Sequence, residues 1–163
     1  MDRRHHTSSV LLPTADTLRL RQFRPGDFER FYEIDQACYA PEIAYSRPEL
    51  RAYFRFPNAD CVVAVARRKP VGFCLTAYRE SRGHIITIDV LRPYRRHQIG
   101  TRLLEAVESR LEKAGVGEIV LETATENHSA IAFWLKHGYR ARGIWKNYYP
   151  GGRDAYAMIK PLA

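Results

Sequence analysis

The strand–helix–strand pattern between His84 and Thr123 constrains the fold of this chain more than any other feature. A β-branched run over 84–91 predicts one strand, and a second apolar run over 118–123 predicts another. Between them, apolar residues recur at helical spacing: Ile99, Leu103, Leu104, Val107 and Leu111. Gly115 is typical of a cap at the carboxyl end of a helix. The pattern therefore predicts two parallel strands joined by a right-handed crossover.

The segments on either side of this unit predict antiparallel strand pairs and further helices. In chain order they are a strand over 17–24, helices over 28–38 and 48–54, a hairpin over 61–78, a helix capped by Asn127, and strands over 139–148 and 154–159. A chain of 163 residues suits one domain. We therefore predict a single α/β (α+β) domain over residues 14–163, with a mixed central β-sheet flanked by helices on both faces. A flexible leader is expected over residues 1–13, which are polar and lack periodicity.

The charge of the chain favours an anionic partner. Twenty-six Lys and Arg residues outnumber eighteen Asp and Glu residues, which gives a formal net charge of +8. This balance suits a nucleic acid, a phosphorylated cofactor or an acidic complex such as a ribosome, and charge alone leaves all three open. No apolar run approaches the roughly 20 residues that cross a bilayer, and no apolar segment of the kind found in secretory signals follows the first residues. A cytoplasmic protein without a membrane partner is expected.

The three cysteines, Cys38, Cys61 and Cys74, lie far apart in apolar surroundings. An odd number of widely spaced cysteines indicates buried, reduced thiols rather than a disulfide framework. Neither Cys-x-x-Cys nor a paired Cys/His spacing occurs, so no metal site is expected.

The turn that leads into the central helix carries the residues suited to chemistry. Arg95 and Arg96 precede the helix, Gly100 allows a ligand to approach the backbone, and Thr101 places a hydroxyl in the first turn. Helix N-termini expose free N–H groups and attract anions, so the segment suits a pyrophosphate. The alternative is a solvated basic turn before an ordinary helix. Neither a Walker A pattern nor Gly-x-Gly-x-x-Gly is present, so mononucleotide and Rossmann dinucleotide sites are not supported.

Residues 90–104 resemble the acetyl-CoA signature of the GNAT superfamily of N-acetyltransferases, Arg/Gln-x-x-Gly-x-Gly/Ala. Arg95 and Gly100 match this signature, whereas Gln98 stands in place of its first glycine. The replacement implies either a different loop conformation or one less close approach to phosphate. Downstream, residues 127–139 resemble the second motif of the superfamily, and residues 146–158 are similar to the carboxyl ends of RimI-type N-terminal acetyltransferases.

The resemblance implies acetyl-CoA as co-substrate, no metal, and a parallel strand pair that splays apart at the cofactor site. The pantetheine arm would add to the open strand edge through the backbone of Ile88 and Val90. The remaining implied cofactor-binding residues are Arg95, Arg96, His97, Gln98, Ile99, Gly100, Thr101 and Asn127. Asn127 is expected to cap its helix as well. Asp89, within the same strand, is expected to be an exposed or strand-end carboxylate.

By the same resemblance, Glu122 occupies the position of the general base. Trp134 stands where many members carry a tyrosine that protonates the leaving thiolate, and an indole is not a usable acid. His84 is the candidate acid, because some N-terminal acetyltransferases place a catalytic tyrosine at its position. Tyr148 and Tyr149 are further candidates, although the resemblance implies that they bind the acceptor peptide together with Ile43 and Tyr45.

The sequence thus predicts an acetyl-CoA-dependent N-acetyltransferase that modifies the N-terminal α-amine of a protein or peptide by direct attack in a ternary complex. A ribosomal protein is the favoured acceptor. One alternative is acetylation of a small amine or polyamine on the same scaffold. Another is a non-catalytic, basic RNA- or ribosome-binding module, whose phosphate contacts would be Arg79, Arg82, Arg92, Arg95, Arg96 and Arg102.

Overall fold

A computed structural model describes residues 18–162, so the predicted leader over 1–13 lies outside the described residues. The strands are β1 (Leu18–Gln22), β2 (Asp60–Ala66), β3 (Lys69–Arg79), β4 (Arg82–Val90), β5 (Glu118–Ala124), β6 (Arg140–Tyr149) and β7 (Arg153–Pro161). The helices are α1 (Phe28–Cys38), α2 (Arg47–Phe54), α3 (Ile99–Lys113) and α4 (His128–Lys136), with short 3-10 turns at Pro25–Asp27 and Arg92–Tyr94. Each predicted element is present, with ends shifted by one or two residues.

Within residues 18–162, the strands form one mixed sheet in the order β1-β2-β3-β4-β5-β7-β6. β4 and β5 are parallel, and every other neighbouring pair is antiparallel. This arrangement confirms the predicted α/β class and the parallel strand pair. The parallel pair sits between two antiparallel blocks, which places the α3 crossover at the centre of the molecule.

The parallel pairing of β4 and β5 is short, so the two strands form a fork. Their register runs only from Arg82↔Glu118 to His84↔Val120. Beyond it, the Leu91 N–H donates to Val71 O at 2.9 Å, on the β3 side. Backbone groups alternate in direction along a strand, so the N–H and C=O groups of Val90 and Ile88 face the open side of the fork.

Helices cover both faces of the sheet, as predicted. One buried core lies under α3 and α4 and includes Cys74, Leu103, Leu104, Leu121 and Trp134. The other lies under α1 and α2 and includes Phe31, Ile34, Leu50, Val63 and Phe73. Both faces of β4 are therefore covered by packed side chains.

Two segments close over the mouth of the fork. The α1–α2 loop (residues 39–46) crosses the end of β4 and leads into α2, where Ser46 and Glu49 form a reciprocal N-terminal cap. The β6–β7 turn brings Tyr149 opposite Arg153. β6 is the outer edge strand, and all of its residues before Tyr149 are exposed.

Candidate active site

A cleft of about 1110 Å³ opens at the fork between β4 and β5. It is bounded by the α1–α2 loop, the N-termini of α3 and α4, and the end of β6. The predicted site residues that line it are Ile43, Tyr45, Ile88, Val90, Arg95, Arg96, Gln98, Ile99, Gly100, Thr101, Glu122, Asn127, Tyr148 and Tyr149. His84 and His97 are not among the lining residues: His84 lies behind Glu122, and the His97 side chain is exposed to solvent.

His84 and Glu122 form a hydrogen-bonded pair at the base of the fork. His84 Nε2 lies 2.7 Å from Glu122 Oε2, and the two side chains are 34% and 21% exposed. The register explains the contact: His84 pairs with Val120, and Glu122 follows Val120 on the same face of β5 because side chains alternate along a strand. An ionised carboxylate can only accept hydrogen bonds, so His84 Nε2 carries the hydrogen. The last rung of the parallel ladder therefore fixes a carboxylate beside an imidazole.

Tyr148 and Tyr149 face this pair from the β6–β7 side of the cleft. Their rings are perpendicular, with centroids 4.9 Å apart. Burial, together with the negative charge of Glu122, raises the pKa of Tyr148 to about 12, and burial also raises the pKa of Tyr149. A phenol with a raised pKa is a weaker acid, so these hydroxyls are better suited to hydrogen bonding with a ligand than to protonating a leaving group.

The segment between β4 and α3 (residues 91–98, the β4–α3 loop) keeps a backbone conformation usually left to glycine. Gln98, the N-cap of α3, has φ of 64°, and Arg96 has φ of 65°. Both values lie in the left-handed region. The sequence left open whether Gln98 alters the loop or removes one close approach. The structure shows glutamine adopting the left-handed geometry itself. Arg95 Nε donates to Val90 O at 2.8 Å, which ties the loop to the end of β4.

The first turn of α3 offers a place for a doubly charged anion. It carries no acidic side chain, and its N–H groups have no partner within the helix. The Ile99 side chain is buried at 1% exposure, so this residue can offer a ligand only its backbone. A Cβ added at Gly100 would come 3.4 Å from the Phe133 ring, which is an ordinary contact, so packing against α4 alone does not require a glycine at this position.

His137 is a cleft residue to which the sequence assigns no role. Its Nδ1 lies 2.8 Å from Phe133 O, and its Nε2 lies 3.0 Å from Thr101 Oγ1. A carbonyl oxygen only accepts, so Nδ1 carries the hydrogen, and in the neutral ring Nε2 accepts from the Thr101 hydroxyl. His137 thus orients a hydroxyl in the first turn of α3. Its position directly before Gly138 in the second motif is the signal that could have indicated a role.

The α4 residues of the second motif divide between cleft and core. Asn127 Oδ1 accepts from the Ala130 N–H at 3.1 Å, which confirms the predicted helix cap. Trp134 is 5% exposed and packs edge-on against Phe133 and Tyr139, with ring centroids 5.0 and 5.1 Å apart. One edge of the indole reaches the cleft, but its main contacts belong to the core.

The prediction of an exposed carboxylate at Asp89 is wrong. Asp89 is 1% exposed and lies against Asp35, which is 0% exposed. Because α1 covers the face of β4 that carries Thr87 and Asp89, the side chain points into packed protein. Burial raises the pKa of Asp35 and holds the pKa of Asp89 well above its usual range, with each carboxyl acting on the other. A central strand of a strand–helix–strand unit is covered on both faces, and this is the signal that could have corrected the prediction.

The cysteines are free thiols in the structure. Cys61 and Cys74 are buried and Cys38 is partly buried, and burial raises the pKa of Cys38 to about 11. Across residues 18–162, no group of three or more His, Cys, Asp or Glu side chains is placed to hold a metal ion. No helix of the described chain is both long and apolar enough to cross a membrane.

Comparisons with known proteins agree with this geometry. Residues 28–139 match the family model described as the acetyltransferase (GNAT) family. The chain is 37% identical over 140 residues to an N-alpha-acetyltransferase of Sulfolobus acidocaldarius, which covers 82% of this chain and 74% of the relative. It is 42% identical over 82 residues to an N-alpha-acetyltransferase of Saccharolobus solfataricus, a match that spans 50% of this chain and 49% of that relative.

The fold also superposes on a solved structure. The crystal structure of the ribosomal-protein-S18-alanine N-acetyltransferase from Escherichia coli gives a TM-score of 0.81 at 26% sequence identity, covering 90% of this chain and 94% of that chain.

Proposed function

The chain belongs to the GNAT family of acetyltransferases, and from this premise we propose that it transfers an acetyl group from acetyl-CoA to the N-terminal α-amine of a protein or peptide. The observation that carries the proposal is the His84–Glu122 pair, with its 2.7 Å hydrogen bond at the base of the forked strands. A general base must lie within hydrogen-bond reach of the proton it removes, and the pair meets the cleft where the open edge of β4 begins.

The residues at the other end of the cleft fit the coenzyme. The diphosphate would be held by Arg96, by the N–H groups of 98–100 and by Thr101, since the first turn of α3 has no acidic side chain to repel it. The outward N–H group of Ile88 would bond the pantetheine arm, which leaves the N–H of Val90 for the thioester oxygen at the end of that arm, and Asn127 borders the same channel. The His97 side chain is exposed and does not line the cleft, so it would contact only those coenzyme phosphates that lie outside the cleft. When bound, acetyl-CoA supplies an activated acyl group as a thioester.

An N-terminal amine suits this pair better than a lysine amine does. A peptide α-ammonium has a pKa near 8 and lysine near 10.4, so at pH 7 freeing them costs about 1.4 and about 4.6 kcal/mol respectively. Glu122 would accept the α-ammonium proton directly or through a water, while His84 holds the carboxylate in place. The outward Val90 N–H would stabilise the oxygen that becomes negative during direct attack.

The proton for the leaving sulfur would come from the same pair. Tyr148 is weakened as an acid by its raised pKa, and the Trp134 indole is a hydrogen-bond donor without useful acidity. Once Glu122 has taken the α-ammonium proton, it can return that proton, directly or through a water, to the departing sulfur. His84, whose Nε2 already carries a hydrogen and which does not line the cleft, would hold Glu122 in place for this step, so we propose Glu122 rather than His84 as the acid.

A ribosomal protein is the acceptor class that we favour. The relative from Escherichia coli that shares the fold is named for alanine acetylation of ribosomal protein S18, and the net charge of +8 suits work near RNA. Tyr148 is 46% exposed at the cleft mouth, which favours a peptide chain leaving the cleft over a small amine enclosed within it. We propose the cytoplasm as the compartment.

Thiol release from acetyl-CoA tests the function. The acceptors are peptides that differ in their first residue, the same peptides with a blocked α-amine and an internal lysine, and small polyamines. We expect turnover only with free α-amines. Turnover of polyamines or blocked peptides alone would overturn the proposal, and turnover of none of them, with no heat on mixing with coenzyme A in calorimetry, would restore the alternative of a basic binding module.

A further inference from the structure

Two buried carboxyl groups meet beneath the α1–α2 loop, and the proposed chemistry uses neither. Asp35 comes from the last turns of α1 and Asp89 from the end of β4. Asp35 Oδ1 and Asp89 Oδ2 are both buried and neither accepts a hydrogen bond, and the two carboxyls are close enough for each to influence the pKa of the other. Two carboxylate oxygens can bond only through a proton placed between them. Burying both as adjacent anions would be very unfavourable, so the pair holds one proton.

The remaining oxygens of the pair accept one hydrogen bond from the α1–α2 loop and one from within β4. The backbone N–H of Tyr45 donates to Asp35 Oδ2 at 2.7 Å, and the Thr87 hydroxyl donates to Asp89 Oδ1 at 2.6 Å. The loop also reaches β4 through two side chains. Tyr39 Oη donates to Ile88 O at 3.2 Å, and Tyr45 Oη donates to Ile86 O at 3.3 Å. Hydrogen bonds close to Asp35 and Asp89 therefore hold the α1–α2 loop on β4.

The groups that face the pair come from every element packed around it. The pKa values of Tyr39, Tyr45 and Cys38 are all raised by burial, so these groups stay neutral through the physiological range. Glu49 on α2 adds negative charge near Asp35. Arg95, on the β4–α3 loop, adds positive charge and interacts with the Cys38 thiol. Among the buried groups of this neighbourhood, the proton between the two carboxyls is therefore the charge that changes with pH.

We propose that Asp35 and Asp89 form a positioning pair, which holds the α1–α2 loop against β4 while the shared proton is present and so sets the affinity for the acceptor peptide. This inference rests on the proposed function, because that function makes the loop an acceptor-binding element. Loss of the proton places two anions in contact, separates α1 from β4 and loosens the Tyr45 attachment. The KM for the acceptor should then rise with pH, whereas the KM for acetyl-CoA should not.

Asp89→Asn is the main test, because its amide can donate to Asp35 in place of the shared proton without changing side-chain shape. For one peptide we compare the acceptor KM of the wild type with that of D89N at each pH, and the titration of the peptide amine cancels in this ratio. At pH values above the pKa of the pair, we expect this ratio of KM values to rise by up to about tenfold per pH unit. A ratio that stays flat to pH 10 would overturn the proposal.

Asp27→Asn is the matched control, because Asp27 is also buried, at 8% exposure, but lies at the opposite end of α1 from Asp35 and bonds Arg21. It should lower stability and leave the pH dependence of the acceptor KM unchanged. If D89N does not fold, Asp35→Asn makes the same test, since its side-chain oxygen can still accept from Tyr45. A pH effect that D27N abolishes as well would count against the pair.

Hydrogen exchange separates this proposal from the proposed function, because it needs no substrate. We expect the protection factors of residues 39–45, and of the Tyr45 amide above all, to fall at alkaline pH in the wild type and to stay constant in D89N. That result, in a protein that acetylates no peptide, would support the pair and refute the function. Constant protection in a protein that does acetylate peptides would refute the pair and leave the function standing.

Discussion

At the scale of single residues, the proposed chemistry depends on one hydrogen bond. His84 Nε2 and Glu122 Oε2 are 2.7 Å apart, and an ionised Glu122 requires the hydrogen to be on His84 Nε2. The two side chains therefore form one hydrogen-bonded unit. Residues that act as a unit give non-additive losses on substitution, so replacing both should cost little more than replacing Glu122 alone.

Glu122→Gln should lower kcat by about 10²- to 10⁴-fold, the usual contribution of a general base. Glutamine keeps the shape of the side chain but cannot accept a proton, and the coenzyme channel lies away from it, so the KM for acetyl-CoA should not change. Steady-state kinetics with a peptide acceptor measure both quantities. Glu118→Gln is the control, because Glu118 lies on the same strand but bonds Arg82 outside the cleft. Unchanged turnover in E122Q would remove the assignment of the base.

At the scale of elements, the β4–α3 loop keeps its shape at a cost. An L-residue in the left-handed region costs about 1–2 kcal/mol, and Gln98 lies there with φ of 64°. We expect Gln98→Gly to raise the free energy of unfolding by about 0.5–1 kcal/mol, because the relieved strain exceeds the added chain entropy of glycine. Gln98→Ala trims the exposed side chain but leaves the strain, so it should show no such gain in denaturant unfolding. Equal stability of Q98G and the wild type would mean that the loop is unstrained.

Arg96 tests whether this loop holds the diphosphate. Arg96→Ala should raise the KM for acetyl-CoA roughly fivefold to tenfold, as expected for the loss of one exposed, charge-assisted contact to phosphate. The effect should shrink at high ionic strength. Arg142→Ala removes an equally exposed charge from β6 and should leave this KM unchanged. If the two variants behave alike, the contribution of Arg96 is net charge rather than a phosphate contact.

The sequence predicts the local elements well, because their signals are local. The helical spacing over 28–38 and the β-branched run over 84–91 each match an observed element. Contacts between elements cannot be predicted from such local signals. The bond between His84 and Glu122 depends on the register of two strands separated by a helix. The burial of Asp89 depends on which face of β4 the helix α1 covers, and no pattern within 84–91 records that.

At the scale of the whole molecule, the forked sheet brings three features to one cleft. The short parallel ladder places the His84–Glu122 pair. Next to it lie the open β4 edge, proposed to bind the pantetheine arm, and the N-terminus of α3, proposed to hold the diphosphate. The same strand carries Asp89 on the face that α1 covers, which is also the face of His84, so the acid pair and the proposed cofactor edge share one β-strand. We therefore expect any change in the position of α1 relative to β4 to move the α1–α2 loop, which is proposed to bind the acceptor.

The pH dependence of the free energy of unfolding reports on the Asp35–Asp89 pair for the molecule as a whole. In the folded protein burial raises the pKa of Asp35 and Asp89, whereas in the unfolded chain both lie near 3.9. At pH values below the pKa of the unfolded chain, the folded and unfolded states both carry the carboxyl protons, and the stability associated with the pair is fully present. As pH rises from there through the folded pKa, the unfolded chain releases a proton that the fold retains. The pair's stability is then lost by up to about 1.4 kcal/mol per pH unit.

Asp27 acts in the opposite direction, because the Arg21 guanidinium lowers its pKa and its contribution is lost as pH falls. The free energy of unfolding should therefore pass through a maximum, and D89N should flatten only the alkaline side of that maximum. Urea unfolding of the wild type, D89N and D27N between pH 2 and pH 9 measures the two sides separately, because the Asp27 contribution is lost below its unfolded pKa near 3.9. D27N should flatten only the acid side. If D89N and the wild type lose stability in parallel as pH rises, then the buried carboxyls share no proton in the folded protein.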